Sequence, residues 1–218
     1  MRNIKIFKTA SMLATAIALC FLSVTMISAV EAPIGTSCRY ILRGEQYEKA
    51  QADCLLRELA TARNDNARLT LWNGYGQYEK SLIHKYYTRT HSEIRVSTVT
   101  IPTPDDISRE DRAATCFTRK WEQDEYSGAR IHLYSFFQKI DWCVNGKKTK
   151  VKKVHGIEYG ETYVLFWFYR GLSTSSISGG HGQSYYRRSA QGIFEFCFVE
   201  PILCVQQHQI LHDNTVQP

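Results

Sequence analysis

The sequence predicts a mainly β fold: a disulfide-bonded antiparallel β-sandwich or distorted barrel carrying an N-terminal helical arm. Three observations point there. Short apolar runs separated by turn residues fill the chain beyond residue 91. Helix formers are concentrated in one block between Gly44 and Leu69. Six cysteines follow a leader-like start, as in a small exported domain. The 218 residues suit one domain with an arm, and 44% hydrophobic with 12% aromatic residues excludes collagen, coiled coil and wholesale disorder. Only one uncharged stretch is long enough to cross a bilayer, which excludes a polytopic membrane protein.

That stretch opens the chain. Arg2, Lys5 and Lys8 precede an uncharged run from Thr9 to Val30, with small residues around Ser28-Ala29 and the first acid at Glu31. A basic start, apolar middle and small-residue exit predict a signal peptide over 1–29, the chain being exported. The alternative is an uncleaved anchor, so membrane association is expected only through this segment. Loss of 1–29 lowers the basic count from 27 to 24 against 21 acids, leaving a net charge of +3. Half of the apparent basicity is thus targeting signal, and nucleic acid is not an expected partner.

Cys38, Cys54, Cys116, Cys143, Cys197 and Cys204 remain, an even set that predicts three disulfides in an oxidising compartment. Six cysteines allow 15 connectivities; spacing favours Cys197–Cys204 across a short hairpin, Cys38–Cys54, and Cys116–Cys143 between two strands. No C-x-x-C pair suggests a metal, and neither metal nor cofactor is expected.

Within 30–90, Tyr47, Ala50, Cys54, Leu55, Leu59 and Ala62 lie three to five apart in an amphipathic helix that Asn64-Asp65-Asn66 ends. Asn73-Gly74-Tyr75-Gly76 reads as a turn. The β region, 91–218, begins with a strand at Glu93–Ile101, stopped by Pro102. Further strands are predicted at Cys116–Trp121 and Ile131–Val144. Asn145-Gly146 predicts a type I′ hairpin turn into Lys147–Val154. Thr162–Arg170 is apolar on both faces, which predicts a central strand, its Tyr163–Tyr169 face in the core. A Ser/Gly-rich loop at Ser173–Gly182 leads to Tyr185–Ser189 and Gly192–Val199, where Phe194, Phe196 and Phe198 share a face.

The runs Ala114-Thr115-Cys116, Trp121, Ile140-Asp141-Trp142-Cys143-Val144-Asn145-Gly146 and Ser189-Ala190-Gln191-Gly192-Ile193-Phe194-Glu195-Phe196-Cys197, then Cys204, resemble a group of small, secreted, β-rich proteins common in actinobacteria, largely uncharacterised. The resemblance covers about Ala113 to the C-terminus. It implies fold and compartment and carries over no catalytic residue.

No strong catalytic motif is present. His208 and His212 are four apart but Gln209 stands where a zinc protease needs Glu, so they read as surface histidines near a terminus. His181 in a Gly-rich segment, Asp105-Asp106 and Glu122-x-Asp124-Glu125 supply acid–base groups without a nucleophile motif. Lys148, Lys150 and Lys152 would share one strand face, able to hold phosphates or anionic wall polymers, or to guard an edge strand against aggregation. Tyr185, Tyr186, Arg187 and Arg188 beside a mobile loop could stack on sugar rings and hydrogen-bond their hydroxyls. These seven residues are the expected ligand site of a secreted, non-enzymatic binding protein whose partner is an extracellular glycan or cell-envelope polymer. A secreted hydrolase of unfamiliar architecture and a structural or inhibitor-like protein are the alternatives.

Overall fold

Where the sequence predicts one amphipathic helix, the described residues hold three. The computed structural model describes Cys38, residues 44–102 and residues 114–218. The expected signal segment and Asp105-Asp106 lie outside these residues. Helix α1 spans Glu45–Thr61, α2 Asp65–Gly74 and α3 Gln77–Tyr87. Asn64 ends nothing beyond α1: its side chain caps α2, accepting from the Ala67 N–H at 2.9 Å. Asn73-Gly74 falls in the last turn of α2, and Gly76 precedes α3. Among the described residues, no helix is long and apolar enough to cross a membrane.

Seven strands follow among the described residues: β1 Arg89–Ile101, β2 Thr115–Ser127, β3 His132–Val144, β4 Val151–Thr162, β5 Trp167–Gly179, β6 Tyr186–Val199 and β7 Leu203–Val216. They form two antiparallel sheets, sheet A in the order β1-β2-β3-β4 and sheet B in the order β5-β6-β7. The expected disulfide-bonded mainly β fold is thereby present. Disulfides join Cys38–Cys54, Cys116–Cys143 and Cys197–Cys204. Cys116 and Cys143 are directly opposite across β2 and β3, so the bridge fastens a register already set by the ladder.

The predicted central strand Thr162–Arg170 is instead a corner. Its Thr162 ends β4 on one sheet, and Trp167 starts β5 on the other. Between them Phe166 turns through the left-handed region (φ 67), while Tyr163 donates its N–H to the Leu133 carbonyl of sheet A and Phe166 accepts from Cys197 of sheet B. Val164 and Phe166 pack against the core while Tyr163 and Leu165 stay exposed, so a run apolar on both faces need not be covered on both, which period-two reading does not detect. The Ser/Gly segment is corrected too: Ser173–Gly179 is strand, and only residues 180–185 form the turn.

The Asn145-Gly146 hairpin is longer than predicted. Asn145 accepts from the Lys148 N–H at 2.7 Å, and its side-chain oxygen accepts from Thr149 and Lys150 at 2.7 and 3.0 Å. The left-handed residue is Lys148 (φ 52), and β4 begins only at Val151. A β-turn followed by a left-handed residue replaces the two-residue type I′ turn.

The sandwich interior is aromatic. Tyr134 and Phe136 of β3 meet Phe194 of β6 with centroids 4.3 and 6.3 Å apart, and Phe196 stacks on Trp167. Gly160 and Gly192 make room: a Cβ at Gly160 would lie 2.6 Å from Phe194, and one at Gly192 2.6 Å from Phe136. The helices continue this core. Leu55, Leu59, Ile83 and Tyr86 are buried in it, Trp72 packs on Phe198 at 4.6 Å, and the Trp167 indole donates to the Tyr87 carbonyl at 2.8 Å. The described residues make one compact unit.

Candidate functional site

Strand alternation divides the predicted Tyr–Arg rim between two environments. Tyr186 is buried with Ile140, Trp142, Val144 and Val216. Arg188 also points between the sheets, where its guanidinium grips Glu158 with both nitrogens, Nη2 to Oε2 at 2.6 Å. Hydrogen bonding to that carboxylate raises the Arg188 pKa against the opposing effect of burial. Only Tyr185 and Arg187 remain on the surface, and Arg187 is paired with Asp213 of the neighbouring strand. Four consecutive residues therefore cannot form one ligand platform.

The lysine row is also dispersed. Lys148 and Lys150 lie in the exposed loop after β3, and Lys152 is the second residue of β4. What the structure does bring together is this loop's end and the β5–β6 turn. Val151 donates to the Gln183 carbonyl at 2.8 Å and accepts from Gly182 at 2.7 Å. His181 is exposed on that turn, and no hydrogen bond or ion pair joins it to a carboxylate among the described residues. His208 and His212, expected on the surface, instead face inward from β7, His212 buried and His208 hydrogen-bonded to the Tyr134 hydroxyl. Burial pushes both imidazoles down to about 4, with Arg89 adding to the effect at His208.

A different surface gathers more chemistry: the outer face of sheet A. Pairing puts His91 opposite Tyr126 and Tyr126 opposite His132, while Tyr163 runs beside Leu133. Their rings form a row across the four-stranded sheet, with centroid separations of 6.2, 5.0 and 4.2 Å. The next row is Glu93, Asp124, Ser135 and Glu161, each opposite the one before it. Beyond that come Arg95, Glu122, Phe137 and Tyr159, with Phe137 and Tyr159 stacked at 4.7 Å.

The rows hold one another. Buried Asp124 accepts from Ser135 Oγ at 2.5 Å and lies 3.3 Å from His132 Nε2, with Arg95 against its second oxygen. Burial works to raise the Glu122 pKa, but hydrogen bonds from Lys120 and Arg95 outweigh it and hold the carboxyl below its ordinary value. Tyr126 and Tyr163 are shifted upward, mainly by burial, so both phenols keep their protons as donors at neutral pH.

Ser135, His132 and Asp124 have the composition of a hydrolytic triad but a different geometry. Serine and carboxylate both meet Nε2 of the histidine, at 2.9 and 3.3 Å, and the serine proton is directed to the carboxylate. A relay needs the acid and the nucleophile on opposite ring nitrogens. Ser135 is fully buried as well. The cluster fixes the His132 ring between its tyrosine neighbours.

At the Tyr163 end the row opens into a shallow cleft of about 280 Å³ lined by Asp53, Leu56, Arg57, Tyr87, Tyr163, Val164 and Leu165. Asp53 accepts from the Tyr87 hydroxyl and pairs with Lys49 at 2.8 Å. Tyr163 is 47% exposed and Leu165 56%, the reverse of the core position their alternation predicts. Sequence reasoning missed this surface because its residues come from five separated segments. The available signal was Glu122-x-Asp124, whose spacing places both carboxylates on one face of a strand.

Among the described residues, one group has metal-ligand proximity, Glu195 with Cys197 and Cys204, and those two sulfurs are joined to each other. The chain matches no family model, no curated protein and no solved structure.

Proposed function

We propose that this chain is a secreted, non-enzymatic binding protein, and that its partner is an extracellular or cell-envelope glycan carried on the outer face of sheet A. The observation that carries the reading is the row of rings crossing the sheet and ending at the half-exposed Tyr163 beside the cleft. A pyranose C–H face packs flat on the terminal ring of the row, the 47% exposed Tyr163, and carboxylates, guanidinium and phenol groups satisfy sugar hydroxyls. Strand-borne side chains tied by Asp124 and Ser135 give a rigid platform, which lowers the ordering cost of binding. The central carboxylates Glu93, Asp124 and Glu161 favour a neutral glycan over an anionic one. Export is supported by the leader-like start and the three disulfides.

A second reading keeps the ligand at the opposite end, where the lysine loop is hydrogen-bonded to the turn preceding Tyr185. Binding to immobilised neutral and anionic polysaccharides distinguishes the two. The favoured site predicts that Tyr163→Ala lowers affinity for a neutral glycan roughly tenfold at every salt concentration, since ring stacking is hardly screened. The lysine-loop site predicts instead that Lys148→Gln with Lys150→Gln abolishes salt-dependent binding to an anionic polymer. Parent-like glycan binding by folded Tyr163→Ala would overturn the favoured site, and no binding to any glycan would overturn both.

A further inference from the structure

Among the described residues strand β1 is an edge of sheet A, blunted by one register shift at its start, between Arg89 and His91, and by the charges of Glu93 and Arg95. Its thirteen residues contain neither proline nor lysine, and its register with β2 is unbroken from His91 to Ile101. The edge strand β5 of the other sheet, by contrast, is broken by two register shifts. Sheet A has one strand more than sheet B. The face that carries Ile94 and Val96 therefore runs past the covering layer, and these side chains are 65% and 56% exposed. Val99, on the other face, is 55% exposed.

We propose that β1 pairs antiparallel with β1 of a second copy of this chain, joining two four-stranded sheets into one of eight. Charge selects the register. With Ile94 on the two-fold axis, Glu93 of each copy lies opposite Arg95 of the other, giving two cross-strand ion pairs. Sliding the copies by one step puts Arg95 opposite Arg95 or Glu93 opposite Glu93. The step beyond, centred on Val96, leaves Glu93 opposite Val99 and Arg95 opposite Ser97. Arg95 already contacts Glu122 and Asp124, but its side chain is 59% exposed and its five N–H donors leave some for a third carboxylate. On the uncovered face Ile94 meets Ile94, and each Val96, opposite Ser92 of the other copy, lies diagonal to that copy's Ile94, reducing the apolar area each copy leaves in water.

The pairing stands on the edge strand alone and does not depend on glycan binding. If the glycan reading also holds, the two outer faces become coplanar, and a polymer long enough to span them gains affinity from the second row.

The test is sedimentation velocity on the purified, disulfide-intact protein from micromolar to millimolar concentration. The parent should show a concentration-dependent dimer. Ile94→Lys, which sets two ammonium groups at the axis, should weaken dimerisation by roughly tenfold or more while leaving the circular dichroism spectrum unchanged. Ile177→Lys, on exposed β5, should leave the dimer intact. Ile94→Cys should cross-link to itself under mild oxidation, faster than Val96→Cys. A parent that stays monomeric throughout, or an Ile94→Lys variant that dimerises as the parent does, overturns the proposal. Faster cross-linking through Val96→Cys overturns the register.

Discussion

β1 and β3 are both thirteen-residue strands of the same antiparallel sheet, two positions apart, yet they share almost no environment. Leu133, Tyr134, Phe136, Ile140 and Val144 of β3 are buried, and even its polar Ser135 and Gln138 are sealed. β1 is exposed along most of its length. The difference comes from what lies over each strand. β3 lies beneath sheet B on one face and is flanked by β2 and β4, whereas among the described residues β1 has one neighbouring strand and no layer that buries Ile94 and Val96. Hydrogen bonding is thus enough to make a strand, while layer packing decides how much stability it carries.

The largest effect expected from this contrast is on packing. Truncating Phe136→Ala removes a fully buried ring in contact with Phe194 and should cost about 3–5 kcal/mol. Ile94→Ala, at an apolar residue of the same sheet, should change monomer stability by less than about 0.5 kcal/mol. Urea denaturation of both variants at concentrations below any dimerisation measures the difference. Equal losses would mean that β1 is covered in solution.

A pH effect of intermediate size should also fall on the β3 side. His208 shares a 2.7 Å hydrogen bond with the Tyr134 hydroxyl, and the His212 ring lies 4.9 Å from that of Phe136. Both histidines have their pKa lowered from 6.5 to about 4 in the folded chain, chiefly by burial. Above pH 6.5 both folded and unfolded forms are neutral, so no stability is lost. Between 6.5 and 4 the unfolded chain takes up protons that the folded chain refuses, and stability falls as pH falls. The slope is on the order of 1 kcal/mol per pH unit for each histidine, and it levels off below about 4. Buried Glu125, with its pKa raised mainly by desolvation, acts in the opposite sense and softens the acid end. His212→Leu should flatten the slope by about half and cost little at pH 7, because both ring nitrogens lack a hydrogen-bond partner among the described residues. An unchanged slope in that variant would place the acid sensitivity elsewhere.

How much of this was legible in the residues follows from which interactions are local. Alternation and turn chemistry identified β1, β3 and the Phe194–Phe198 face of β6, and cysteine parity with spacing gave the three bridges. The corner at Tyr163–Phe166 was not legible, because an apolar run on both faces reads as a central strand, whereas here the left-handed Phe166 ends the run and leaves Tyr163 and Leu165 exposed. The predicted Tyr–Arg rim is divided by a rule that was available: in a strand Tyr186 and Arg188 must face away from Tyr185 and Arg187. The ring row was beyond reach. His91, Tyr126, His132 and Tyr163 become neighbours only once four strands have found their registers.

The smallest effect concerns the loop that leaves β3. Its Asn-Gly pair suggests that Gly146 is the residue without which the turn cannot form, yet the left-handed position is Lys148, at φ 52. Asn145 organises the loop instead, accepting from Lys148 through its carbonyl and from Thr149 and Lys150 through its side chain. A β-branched residue tolerates that conformation poorly, so Lys148→Val should lower stability by about 1 kcal/mol. Lys148→Gly relieves the same strain and should raise stability by a few tenths of a kcal/mol, the gain being reduced by the greater freedom of glycine in the unfolded chain. Gly146→Val should matter less than Lys148→Val. Thermal melts of the three variants give the order directly. If Gly146→Val proves the most damaging, the loop forms the two-residue turn in solution, and β4 then starts early enough to carry Lys148 and Lys150 as strand residues.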